Sequence, residues 1–120
     1  RDGGWSRGLG DVYKRQAWMA AAAREQGNDP LQVVKKLDLQ TGERHIWSAA
    51  PSGFVSEPLM VPRPGAKAED DGWVLNLVWN GARNASDLVI LAASDLEEVA
   101  VLELPLAIPH GLHGSWVAET

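Results

Sequence analysis

The sequence predicts an all-β fold, and three observations carry that expectation. Trp73 to Asn80 alternates strictly: Trp73, Leu75, Leu77 and Trp79 fall on one face, and Val74, Asn76, Val78 and Asn80 on the other. That is the two-residue period of a strand. Leu31–Leu39 and Arg44–Ser48 are strand-like runs on either side of the turn residues Gln40-Thr41-Gly42-Glu43, with Gly42 free to adopt positive φ, which reads as a hairpin. Beyond it, short apolar runs recur at roughly 8–12-residue spacing with Gly, Pro, Asn and Asp between them. This pattern fits a sandwich, a barrel or a propeller equally well.

The elements follow in order. The alanines of Ala17–Gln26 favour a helix closed by Gly27-Asn28-Asp29-Pro30, though a helix so short needs tertiary packing to persist. After the hairpin, Val55–Val61 reads as a strand interrupted by Pro58, the mark of an edge or a bulge. Pro62–Gly72 is a loop containing the acids Glu69-Asp70-Asp71. Gly81–Ser86 is a turn, and Leu88–Ala92 is apolar on both faces, as in a strand between layers. Ser94-Asp95-Leu96-Glu97 reads as a capped turn, Val99–Leu104 as a strand, and His113–Val117 as a last short strand.

Composition narrows the function. With 45% hydrophobic and 22% charged residues the 120-residue chain is globular, about one small domain. No apolar run approaches the roughly 18 residues of a membrane-spanning helix. There is no cysteine, which removes disulfides, thiolate metal sites and cysteine nucleophiles. A net charge of −5 without a basic stripe argues against nucleic acid as a partner. The charge is uneven: residues 1–16 carry a net +2 and hold four of the twelve glycines, while the remainder carries −7. Asp11-Val12-Tyr13-Lys14-Arg15-Gln16 also resembles one translated frame of the transposon mosaic-end adapter used in sequencing libraries. Residues 1–16 are therefore expected to stand apart as an artefact or a disordered terminus. Residues 17–120 then form a fragment whose upstream part is missing, with no initiator Met and no signal peptide.

Few side chains offer chemistry. The histidines are His45, His110 and His113. His110 and His113 lie in Pro109-His110-Gly111-Leu112-His113-Gly114, where Pro and Gly oppose a helix; on a strand, positions three apart face opposite ways, so the pair does not share a metal. One imidazole flanked by glycines suits close approach to a ligand or metal, and a hydrogen-bonded structural role is the plainer alternative. Glu57, inside Val55-Ser56-Glu57-Pro58-Leu59, either faces solvent or needs a partner if buried. A ligating imidazole's free N–H would be such a partner. Glu69, Asp70 and Asp71 read as a solvated loop rather than a cation site. Asn84-Ala85-Ser86 fits a glycosylation sequon but lacks a secretory context. Neither a phosphate-binding loop nor a nucleophile elbow is present.

Phe54–Trp116 resembles the C-terminal end of the carotenoid cleavage oxygenases. The matching pieces stand in order: Ser56-Glu57-Pro58-Leu59-Met60-Val61-Pro62-Arg63-Pro64-Gly65-Ala66; Glu69-Asp70-Asp71-Gly72-Trp73-Val74-Leu75; Leu88 to Leu96; Val99-Ala100; Leu104-Pro105; and Ile108-Pro109-His110-Gly111-Leu112-His113-Gly114. Lys36–Glu43 resembles the hairpin that precedes them. The resemblance implies the C-terminal blades of a seven-bladed β-propeller whose axis holds a non-haem Fe(II) on four histidines from different blades. It makes His113 the last of those ligands and Glu57 the outer carboxylate that supports it. His110 stands near the site where the family often has Tyr. His45 matches no ligand, and the other three ligands have no counterpart here.

The implied reaction is oxidative cleavage of a conjugated C=C bond of a carotenoid or apocarotenoid, with O2, into two carbonyl products. A stilbene-cleaving enzyme of the same fold is the nearest alternative, and a non-catalytic β-repeat binding module the next. The fragment alone is expected to be inactive. The implied setting is cytoplasmic, with peripheral membrane contact through the missing part to collect an apolar polyene.

Overall fold

Two antiparallel sheets account for the described residues, 15–23 and 30–108 of the computed structural model, and every regular element among them is a strand. Strands β1 (Gln16–Ala22), β2 (Leu31–Asp38) and β3 (Arg44–Ser48) form the first sheet in that order. The second contains β4 (Gly53–Val55), β5 (Leu59–Pro62), β6 (Gly72–Asn80), β7 (Ala85–Ala92) and β8 (Glu98–Glu103). Here β4 and β5 both pair with β6, followed by β7 and β8, so one interrupted strand and three continuous ones make four ranks.

The helix expected over Ala17–Gln26 is corrected: residues 16–22 are a strand, in register with β2 from Gln16 opposite Asp38 to Ala22 opposite Leu31. The helical preference of alanine is worth only tenths of a kcal/mol per residue, and β1 gains more. It covers an edge of β2 and lays Trp18 and Ala20 on the core. Gln16 opens this strand, and Leu39 N donates to Arg15 O.

The core lies between the sheets. Val34 of β2 meets Val55, Val74, Val78, Val89 and Leu91 of the second sheet, with Ala93 and Leu96 closing one end. The alternation read in β6 holds: Val74, Asn76 and Val78 are buried, while Trp73, Leu75, Leu77 and Trp79 are half-buried on the other face. The expected 31–48 hairpin is present, and Gly42 turns with φ at 79°. The turn at 94–97 is capped as expected, with Glu97 N donating to Asp95 Oδ1 at 2.9 Å, and Leu96 takes the left-handed region. Gly72 faces Pro62, where a Cβ would strike the Val61 carbonyl oxygen. No helix among the described residues is long and apolar enough to cross a membrane.

Candidate functional site

The Ser56-Glu57-Pro58 segment separates β4 from β5, and the register shows how. Val55 stands opposite Val78, and Leu59 opposite Leu75. Three residues, 56 to 58, therefore oppose two, 76 and 77: a β-bulge, a device that re-aims side chains beside functional sites. Its effect shows in the facing of the flanking residues. Val55 pairs with Val78 and Met60 with Val74, so both lie on the core side although they are five positions apart. The interruption expected from Pro58 is a bulge, and proline suits it because it has no N–H to place in the ladder.

Hydrogen bonds fix the bulge. Ser56 N and Ser56 Oγ both donate to Leu77 O, at 3.0 and 2.8 Å. Asn76 Nδ2 donates to Ser56 O at 2.7 Å. Phe54 stacks on Trp79 at 5.6 Å between ring centroids and holds the chain just upstream. Glu57 follows these anchored groups directly and its residue is exposed.

His113 and His110, the imidazoles singled out from the sequence, lie outside the described residues, as does the strand expected over His113–Val117. Their relation to Glu57 is therefore carried by the sequence match alone. His45 on β3 is half-buried, with Nε2 4.0 Å from Glu43 Oε1, and belongs to no cluster. Among the described residues no group of three or more His, Cys, Asp or Glu could hold a metal ion.

The acidic loop is exposed over 62–65, 67 and 68, as a solvated loop should be, but its three acids are half-buried and partnered. Glu69 accepts from Arg15 N and Gln16 N at 3.1 to 3.2 Å. Asp71 accepts from Arg63 Nε at 2.8 Å, and the Arg63 guanidinium lies over the Trp73 ring at 4.7 Å. Asp70 pairs with Lys36 Nζ at 3.0 Å, and Lys36 also donates to Ser94 O. The Lys36 hydrogen bond holds the Asp70 carboxyl below its ordinary pKa against the opposing effect of burial, and the Lys36 charge adds to it. Asp38 is lowered by the N–H groups of Thr41 and Gln40 and by the Arg15 charge. This loop thus fastens the first sheet to the second. The signal was present in β2, where Lys36 shares the buried face of Val34, so its ammonium needed a carboxylate.

A cleft of about 230 Å³ opens elsewhere, between β3 and the second sheet, lined by Trp47, Ala49, Val78, Asp87, Val89 and Val101 among others. Its buried carboxylate is already engaged, since Asp87 accepts from Arg83 Nη1 at 2.7 Å and from Asn80 Nδ2 at 3.1 Å.

Comparison with known proteins extends the geometry. The family model described as retinal pigment epithelial membrane protein matches residues 11–118. Apocarotenoid-15,15'-oxygenase of Synechocystis is 48% identical over 104 residues, which is 85% of this chain and 21% of the relative. Lignostilbene-alpha,beta-dioxygenase isozyme III of Sphingomonas paucimobilis is 40% identical over 114 residues, 93% of this chain and 23% of the relative. The crystal structure of the cobalt-substituted Synechocystis apocarotenoid oxygenase superposes with a TM-score of 0.84 at 46% identity, covering 88% of this chain and 22% of that one. The chain spans about a fifth of the length of the relatives it matches.

Proposed function

The chain belongs to the retinal pigment epithelial membrane protein family, the carotenoid cleavage oxygenases, and from that premise we propose that it forms part of a non-haem Fe(II) dioxygenase cleaving a conjugated C=C bond of a carotenoid or apocarotenoid. The observation that carries this reading is the 48% identity to an apocarotenoid oxygenase across 85% of the chain. The all-β architecture agrees with it, since the matched structures are propeller enzymes.

The donors present suit iron. Imidazole is a good ligand for it, and a carboxylate presented at a bulge can accept the free N–H of a ligating ring. His113 would hold the metal, and Glu57 would fix the ring's tautomer and raise its basicity. His110 would stand beside the site without binding. The described residues cannot hold a metal unaided, so this chain's share is one ligand and its support. When bound, iron supplies the activation of O2 that turns one C=C bond into two carbonyl groups. An apolar polyene would reach the site from a membrane surface, with the protein otherwise in the cytoplasm.

Stilbene cleavage is the second reading, favoured by the match to the lignostilbene dioxygenase over 93% of the chain. The full-length protein separates the two when its iron content and its O2-dependent cleavage of a carotenoid panel and a stilbene are measured. Carbonyl products from a polyene, lost together with bound iron in His113→Ala, are the expected result. Products from the stilbene alone would move the substrate class, and a folded protein without iron would leave His113 and Glu57 as a structural pair.

A further inference from the structure

Asn76 breaks the pattern of the strand that carries it. It lies between Val74 and Val78 on the buried face of β6 and is 1% exposed. Valine would satisfy that position without leaving a polar atom in the core. The amide instead leaves its Oδ1 buried with no hydrogen-bond partner. Its other end does one thing: Nδ2 donates to the Ser56 carbonyl at 2.7 Å. That carbonyl belongs to the peptide unit whose nitrogen is Glu57 N, so its orientation sets the direction in which Glu57 leaves the sheet.

We propose that Asn76 is a positioning residue for the Glu57 carboxylate, acting through the Ser56–Glu57 peptide unit; the inference rests on the reading of Glu57 as the support of a metal-binding imidazole. Three contacts clamp the segment before Glu57: Ser56 N and Oγ on Leu77 O, and Asn76 on Ser56 O. Pro58, with its fixed φ, restricts the segment after it. The side chain between them starts from a backbone that is already set. Such preorganisation matters for a carboxylate that must meet one imidazole N–H, because an outer partner that is lost or misplaced costs metal affinity. A polar group kept in the core at a cost to packing is the expected signature of a site rather than of the sheet.

The test is a double-mutant cycle in the full-length protein, stripped of metal and titrated with Fe(II), with Co(II) absorption as a second report on ligand geometry. Glu57→Ala and Asn76→Leu are each expected to weaken Fe(II) binding about tenfold or more. The double variant is expected to bind no more weakly than Glu57→Ala alone, because Asn76 acts only through Glu57. Val34→Ala, a core truncation in the first sheet, should lower the melting temperature and leave Fe(II) binding and the Co(II) spectrum as they are. Asn76→Ala, smaller and free of steric conflict, replaces the leucine variant if that one does not fold. Wild-type affinity in Asn76→Leu beside a weakened Glu57→Ala would overturn the role of Asn76 alone, as would additive losses in the double variant. Wild-type affinity in Glu57→Ala would overturn the support reading itself, and this inference with it.

Discussion

The two sheets share one core but are held by different means. The second is held by its own apolar stripe: Val74, Val78, Val89 and Leu91 are each at most 4% exposed, and β6 is paired along its length with β7. The first contributes mainly Val34 to the shared core, and polar clamps fasten it round that contact. Trp18 Nε1 donates to Ala93 O at 3.0 Å, Gln32 Nε2 reaches Pro51 O and Gly53 O, Trp47 Nε1 reaches Glu98, and Lys36 spans to Asp70 and Ser94. Burial is non-directional, whereas hydrogen bonds fix distances and angles. The second sheet is therefore held mainly by its own core, and the first is oriented against it by directional side-chain contacts.

The contrast breaks most visibly in the core. Leu91→Ala should destabilise the protein by about 4 kcal/mol, seen as a lower midpoint in denaturant for both sheets together, because the truncated side chain belongs to the shared core. Asp70→Ala should cost about 3 kcal/mol by leaving the Lys36 ammonium buried without its carboxylate, and faster amide exchange should be concentrated in β1 and β2. Equal exchange in β6 and β7 would show that the clamp is not local. Acid should act on the same joint. The Asp70 carboxyl is held below its ordinary value of 3.8 chiefly by Lys36, so its contribution is complete above that value and fades as pH falls through the lowered one. Exchange in β2 should therefore rise below about pH 4 ahead of exchange in β7, and Asp70→Asn should remove most of that pH dependence. The smallest effect is expected from Trp18→Phe, which trades the indole for a smaller phenyl ring and loses the hydrogen bond to Ala93 O, about 2 kcal/mol, measured as a drop in melting temperature.

What could be read from sequence divides along the same line. Strands of the second sheet announce themselves because one face is apolar and the other is not: the facing of Val74, Asn76 and Val78 is as their alternation states. β1 stayed hidden because an alanine run carries no two-residue contrast, and only the partner strand converts it. Pro58 marked the place of the bulge but not its size, which depends on the register of β6. Lys36, Asp70 and Asn76 were passed over because each looks like an ordinary polar residue until its neighbours across the sheets are known. The paired roles expected of His113 and Glu57 came by a different route, the ordered resemblance of short motifs to a family, and the comparisons support that family.

The bulge has a further consequence, for chain length. Val55 faces Val78 and Leu59 faces Leu75, so a continuous ladder needs only two residues where 56 to 58 supply three. Deleting one of them would leave each partner of β5 on β6 unchanged, and nothing downstream would have to slide. The sheet thus tolerates two lengths at this point. A one-residue deletion here would be silent in the pairing and would register in what Glu57 does.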